Sequence, residues 1–258
     1  LKAGQKKGFI FPVMINGYTW PEYLTELKRF KDFDIFSQEN ERRKNEAQKN
    51  ATAEYFIQTP KNYNKEKKYP LMIILPGGAD YNINNLLIWQ SQKLKSEYIV
   101  AYVQGSKIQG SFSRSFSIDK NEWIYTIKET YKKIKQKYPI DTTRIIIGGP
   151  SAGGMRAATC AFEQILPVSG LLLAFPVKPQ DLDTVKVLNT AKMGLRAVIL
   201  TGENDHFFLK GQKEMAVIFD KFGLENRFVV YPFIGHEYPT DFSNQLDVSL
   251  DYIWNRKN

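Results

Sequence analysis

Three side chains in this sequence have the types and the order needed to attack a carbonyl carbon. Ser151 lies in Gly149-Pro150-Ser151-Ala152-Gly153, a G-x-S-x-G pentapeptide between the apolar run RIIIGG and the small-residue stretch SAGGMRAATCAFE. An apolar run that ends in glycines and continues in small residues predicts a buried strand, a tight turn and a helix. Such a turn lifts the hydroxyl above the sheet and aims the free N–H groups of the helix start towards it. A serine hydroxyl is a weak nucleophile, so it needs a base within hydrogen-bond reach and a third group that orients the base. The chain has only two histidines, His206 in TGENDHFF and His236 in FIGHEYP. His236 follows the last strand-like run and is the expected base. Asp205, in the loop after RAVILTG, is the expected acid, with Glu203 as a competitor beside it. Each assignment has a plainer alternative: Ser151 and Asp205 are also suitable helix N-caps, and His206 is suited to open a helix that Asp205 caps.

Acyl transfer also needs donors where negative charge develops. The backbone N–H of Ala152, directly after the nucleophile, is one expected donor. The second is expected in the LPGG turn, where glycine lets the backbone turn its N–H groups inward; Gly78 is the expected residue and Ala79 the next choice. The alternative is an ordinary glycine turn after a strand. The Ser151 corner lacks the G-K-[ST] ending of a P-loop and the spacing of G-x-G-x-x-G, so phosphate cradling is disfavoured. The single cysteine, Cys160, excludes an intrachain disulfide, and no cysteine spacing suggests a metal site.

The elements that must position these residues follow a regular rhythm. EYFIQTP, LMIILPGG, YIVAYVQG, RIIIGG, GLLLAF, RAVILTG and NRFVVYP read as strands. Between them, NINNLLIWQSQKLKSE reads as one helix and QGSFSRSFS as a polar loop. Asp119 and Glu122 have the spacing of a capping box. Trp123, Ile127, Tyr131, Ile134 and Tyr138 then mark one helical face that ends at Pro139. SAGGMRAATCAFEQIL, FFLKGQKEMAVIFDKFG and YPTDFSNQLDVSLDYIWN read as further helices, the second closed by Gly223. Short apolar strands alternating with helices predict an α/β fold, a mostly parallel sheet with helices on both faces. Ligands in such sheets gather at the carboxyl ends of the strands, where all the candidate residues fall. PVKPQDLDTVKVLNTAKMGL is too short to build a large lid over that edge, given a mean helix of about 11–12 residues. Arg114 and Trp123 lie in or after the polar loop and could meet a polar or carbohydrate-linked ester. The preferred reading makes Trp123 core and Arg114 a solvated charge.

Residues 1–52 fit this rhythm poorly. GFIFPVMING is a strand-like run interrupted by Pro12, TWPEYLTELKRF is short and amphipathic, and SQENERRKNEAQKN reads as a polar surface helix. The segment has too few apolar residues for its own core, so it is expected to be an N-terminal extension packing on a catalytic domain of residues 53–258. Hydrophobic residues make up 43% of the 258-residue chain, enough for one large core. The formal charge of +9 is spread over lysine runs that glutamates interrupt, which reads as a solvated surface and not as a nucleic-acid site. No apolar run approaches the ~18 residues of a membrane span. The chain does not begin with Met, which fits a processed form; a cytoplasmic or secreted location and a homo-oligomer are left open.

Over roughly residues 53–258 the sequence resembles the α/β-hydrolase superfamily. The resemblance rests on the serine turn GPSAGG, the acid loop GEND, the base loop IGHEY and the LPGG turn. YPIDTTRIIIGGPSAGGMRAA is most similar to the D-x-x-R-I-x-x-x-G-x-S-A-G-G segment of bacterial feruloyl-esterase-like and polyhydroxyalkanoate-depolymerase-like serine esterases. YVQGS resembles the strand and loop that precede it there. The resemblance implies an α/β-hydrolase fold, a Ser151–His236–Asp205 triad, oxyanion donors at Ala152 and Gly78, an acyl-enzyme intermediate, and no metal or organic cofactor. It implies a small or carbohydrate-linked carboxylic ester as substrate. This chain departs from those families at Pro76-Gly77, where they carry His-Gly, and at Pro150 before the serine. Two other classes stay open: a serine peptidase of the prolyl-oligopeptidase type, whose usual propeller domain would not fit in this length, and a non-catalytic hydrolase-like binding or scaffold protein.

Overall fold

Isoleucine, valine and leucine fill the runs between the polar turns, and these runs become strands, the central ones buried on both faces. The computed structural model describes residue 25 and residues 32–78, 80, 82–110 and 113–254. The expected GFIFPVMING strand lies outside the described residues, as does TWPEYLTELKRF apart from Thr25. The chain divides into two compact units, residues 1–50 and 51–258. In the first, helix α1 (Phe33–Lys49) is the polar helix expected from its sequence. Arg42 pairs with Glu39 at 2.7 Å and Glu46 at 2.9 Å, one turn away on either side. Hydrogen bonds from Arg42 and Arg43 hold the Glu39 carboxyl down at about 2. These pairs are solvent-exposed, so they add little to stability.

The second unit begins with β1 (Glu54–Gln58) and β2 (Tyr69–Ile74), followed by α2 (Asn82–Ile88), α3 (Gln92–Glu97) and β3 (Ile99–Gln104). A small hairpin of β4 (Lys107–Gly110) and β5 (Ser113–Ser115) leads into α4 (Lys120–Lys137). Then come β6 (Ile140–Pro150), α5 (Ser151–Phe162), β7 (Gly170–Ala174), α6 (Thr184–Lys192) and β8 (Arg196–Gly202). The chain ends in α7 (Leu209–Lys221), β9 (Asn226–Tyr231) and α8 (Phe242–Trp254). Seven strands form the main sheet in the order β1-β3-β2-β6-β7-β8-β9. β1 is antiparallel to β3 and every other pairing is parallel. Period-2 alternation divides the strand side chains between two cores. Leu71, Ile73 and Ile147 face one core with Trp123, Ala158 and Phe219. Met72, Ile74 and Ile146 face the other with Trp89, Leu94 and Leu246.

This strand order fixes where a ligand site can open. From β2 the chain goes to β3 on one side and later returns to β6 on the other. The connections leaving the carboxyl ends of β2 and β6 therefore part, and a crevice opens between them. The LPGG turn follows β2 and Ser151 follows β6, so both flank that crevice.

Three local expectations are corrected. NINNLLIWQSQKLKSE is two helices: Ser91 is extended and its hydroxyl accepts from the Leu94 N–H at 3.2 Å, which starts a new helix after the buried Trp89. QGSFSRSFS is not wholly loop, because it contributes to the β4–β5 hairpin. The capping box at α4 is only half made. Asp119 caps as expected, accepting from Asn121 N–H at 2.7 Å, but its own N–H goes to the Ser117 hydroxyl at 3.1 Å and Glu122 pairs with Lys107 at 3.3 Å. Among the described residues no helix is long and apolar enough to cross a membrane. Asp119→Ala should lower stability by about 1 kcal/mol in urea unfolding. Glu122→Ala should have a much smaller effect, since Glu122 does not close the box.

Candidate active site

Ser151 opens α5 with φ at +50°, in the left-handed region that a side chain adopts only at a cost of about 1–2 kcal/mol. Its surroundings hold it there. A Cβ on Gly149 would stand 2.2 Å from the Leu75 carbonyl oxygen. One on Gly153 would stand 2.3 Å from the same oxygen and 2.6 Å from that of Pro76. The start of α5 is therefore pressed against the turn after β2, with only hydrogens between the backbones. Pro150 is compatible with this corner, because its φ of −83° is close to what the proline ring imposes. Across the crevice, a Cβ on Gly77 would lie 3.9 Å from that of Ser151, so Gly77 abuts the serine. Gly78 follows it and is exposed, while Ala79 lies outside the described residues. The Ser151 hydroxyl makes no hydrogen bond among the described residues.

Asp205 lies in the turn after β8 and is 1% exposed. Its Oδ2 is 2.8 Å from His236 Nδ1 and accepts from Gln212 Nε2 at 3.0 Å; its Oδ1 accepts from the Phe208 N–H at 3.3 Å. Burial pushes the carboxyl up, but the hydrogen bonds from His236 and Gln212 outweigh it and leave Asp205 below its ordinary value. A carboxylate accepts and does not donate, so the neutral imidazole carries its proton on Nδ1. Nε2 is then free to take a proton. The rings of Phe175 and Phe208 pack against the imidazole with centroids 4.7 Å and 4.8 Å away. Glu203 and His206, the alternatives to Asp205 and His236, are both exposed and are not part of this pair.

Three successive residues after β7 connect the two halves. Phe175 packs on His236. The Pro176 carbonyl accepts from Gln212 Nε2 at 3.0 Å, on the same nitrogen that holds Asp205. The Val177 N–H donates to the Ser151 carbonyl at 3.1 Å. Serine, histidine and aspartate therefore share one carboxyl-end edge of the sheet. Beyond the histidine, the Tyr238 hydroxyl donates to Asn85 Oδ1 at 3.1 Å and accepts from Trp89 Nε1 at 3.0 Å, tying the His236 loop to α2. Gln212 and residues 175–177 were given no role by the sequence, and Gly77 was singled out only as a departure from the resembling families. Gln212 left one signal: it is the lone polar residue on the α7 face that also carries Met215, Ala216 and Phe219. Trp123 is core, and Arg114 pairs with Glu54 of β1 at 3.0 Å. A groove of about 800 Å³ beside α7, lined by Lys178, His206 and Lys210 among others, contains none of Ser151, Asp205 or His236. Among the described residues no group of three or more His, Cys, Asp or Glu side chains could hold a metal ion.

No protein-family model and no curated protein matches this sequence. Solved structures do match. A Bacillus cereus protein described as uncharacterized is 24% identical, with a TM-score of 0.67 over 99% of this chain and 80% of its own. A Bacillus cereus carboxylesterase is 18% identical, with a TM-score of 0.61 over 82% of this chain and 99% of its own. A ferulic acid esterase is 16% identical, with a TM-score of 0.61 over 78% of this chain and 91% of its own. Together with the sheet order, these likenesses establish the α/β-hydrolase fold.

Two outcomes test this geometry. Gly153→Ala places a methyl group against two backbone oxygens and should lower stability by about 1–3 kcal/mol in chemical unfolding. Asp205 has a lowered folded-state value, so its charge contributes stability above the unfolded-state value, about 4, and loses it as pH falls through the lowered one. The stability difference between wild type and Asp205→Asn should accordingly shrink as the solution is acidified below about pH 4, read from unfolding curves at several pH values.

Proposed function

We propose that the protein is a serine esterase that cleaves carboxylic esters through Ser151, His236 and Asp205. The observation that carries this reading is the buried Asp205 carboxylate on His236 Nδ1 at 2.8 Å. The Phe175–Val177 segment connects that pair to a serine held at positive φ. In the proposed reaction Ser151 Oγ attacks the ester carbonyl and its proton passes to His236 Nε2. Asp205 stabilises the resulting imidazolium. The N–H groups of Ala152 and Gly78 receive the tetrahedral oxyanion. The position of Gly77 against Ser151 supports this, since it puts the glycine turn beside the nucleophile. The carbonyl–alkoxy bond then breaks, and the alcohol leaves with the proton from His236. Water, deprotonated by His236, attacks the acyl-enzyme. The tetrahedral adduct collapses, Ser151 regains its proton and the carboxylic acid departs. No metal or organic cofactor enters this scheme.

The esterases among the similar structures support an ester as substrate. Between β7 and β8 the chain builds only the nine-residue α6, which is too little for a large lid. A small or carbohydrate-linked ester suits an edge without a large lid between β7 and β8. Fluorophosphonate labelling followed by peptide mapping should place one adduct on Ser151 in the wild type and none in Ser151→Ala. The same substitution should reduce hydrolysis of p-nitrophenyl acetate by roughly 10³-fold or more. A folded wild type that takes no adduct and turns over no ester would overturn the proposal in favour of a binding or scaffold protein. Cleavage of prolyl peptides in preference to esters would favour the peptidase class.

A further inference from the structure

Gln212 is fully buried on α7 and has a polar partner for each end of its amide. Nε2 donates to Asp205 Oδ2 and to the Pro176 carbonyl, both at 3.0 Å. Oε1 accepts from the Thr201 hydroxyl at 2.5 Å. Two acceptors at one end and a hydroxyl donor at the other fix which end is nitrogen. The carboxylate and the carbonyl can only accept, so they set the orientation, and Thr201, itself 2% exposed, anchors the other end of the amide. A leucine here would complete the apolar face made by Met215, Ala216 and Phe219 without burying an amide. Packing alone therefore does not account for a glutamine.

We infer that Gln212, anchored at Oε1 by Thr201, is a positioning residue that locks the Asp205 carboxylate and the 175–177 turn into one frame around His236. The inference rests on the serine-esterase reading above. One N–H of Gln212 takes part of the charge on Oδ2, the oxygen that also faces Nδ1. The other N–H holds the carbonyl that sits between Phe175, which packs on the imidazole, and Val177, which holds the Ser151 carbonyl. Without the amide, the carboxylate is freer to turn, and its charge falls more heavily on the Nδ1–H. That favours the imidazolium, so the base stays protonated to higher pH. Loss of a donor also makes Asp205 easier to protonate, which moves the acid limb the same way. The titratable group in contact with Asp205 is His236. Glu203 and His206 on the same loop are exposed, and the Lys178–Glu214 pair and the exposed Lys210 and Lys213 on α7 are unchanged by the variants below.

The test compares hydrolysis of p-nitrophenyl acetate across pH by the full chain, with Gln212→Met, Thr201→Val, Thr201→Ser and Ser151→Ala. Gln212→Met keeps the volume and removes both donors. It should lower kcat by roughly 10- to 100-fold, the usual effect of losing a hydrogen bond to a charged group, and leave KM within about twofold. The midpoint of its acid limb should rise by about half a pH unit or more. Thr201→Val should move both readouts in the same direction by less, and Thr201→Ser, which restores the hydroxyl, should stay close to wild type. Gln212→Met with wild-type kcat and acid limb overturns the inference. So does Thr201→Ser falling as far as Thr201→Val, because a packing role would follow the lost methyl and not the hydroxyl. If Gln212→Met does not fold, the Thr201 pair decides alone. Ser151→Ala hydrolysing as fast as wild type overturns the esterase reading and this role with it. Ser151→Ala inactive beside an unaffected Gln212→Met overturns the positioning role only.

Discussion

The site depends on a contact between backbones. The first turn of α5 lies against the carbonyl oxygens of Leu75 and Pro76, and Gly149 and Gly153 leave no side chain between them. If either position carried a Cβ, the helix would have to withdraw from the turn after β2. Ser151 would then lose both its forced backbone conformation and its closeness to Gly77. The strain at Ser151 is local, but the force that maintains it comes from the sheet. β2 and β6 are adjacent parallel strands with β2 buried along its whole length, so their carboxyl ends cannot drift apart. The crevice is thus a consequence of strand order, and the serine is placed in it by glycine.

The second constraint is a buried charge. A carboxylate that is almost fully enclosed is unfavourable unless every oxygen is hydrogen-bonded. Asp205 meets this condition with an imidazole, a side-chain amide and a backbone N–H. Two of the donors are local, the Phe208 N–H just before α7 and Gln212 in the first turn of α7, and the third, His236, comes from the loop after β9. The need to satisfy one charge therefore ties the start of α7 to a loop that follows the next strand. The same amide reaches the turn after β7, so the acid and the serine share a support although they never touch.

Much of this was legible in the sequence, for identifiable reasons. The central strands, buried on both faces, read as continuous apolar runs, and the half-buried edge strands β1 and β9 were marked by shorter runs between polar turns, so all seven strands of the main sheet stood out. Two histidines left little choice of partner for Asp205, and the order of Ser151, Asp205 and His236 along the chain matched the order of strand ends. What escaped was decided by tertiary partners. The break between α2 and α3 follows from Ser91 turning its hydroxyl onto the Leu94 N–H, and an N-cap inside an otherwise helical pattern is easily read through. Glu122 was placed in a capping box by spacing alone, whereas Lys107, distant in sequence, draws its carboxylate away. Gln212 looked like one more polar residue on an amphipathic helix, because its buried partners on β8 and after β7 are visible only once the sheet is assembled.

Asp205 also shows why a plain and a functional reading of one residue need not compete. As a helix cap it was expected to accept from a backbone N–H near the start of α7, and as a catalytic acid to hold a histidine. The carboxylate does both, with different oxygens: Oδ1 receives the Phe208 N–H and Oδ2 faces His236. The capping contact restrains rotation about the bond that carries the carboxyl group. That restraint is what a second oxygen needs if it is to meet an imidazole in one orientation. The residue most easily dismissed as a structural cap is, for that reason, well placed to act as the acid of the pair.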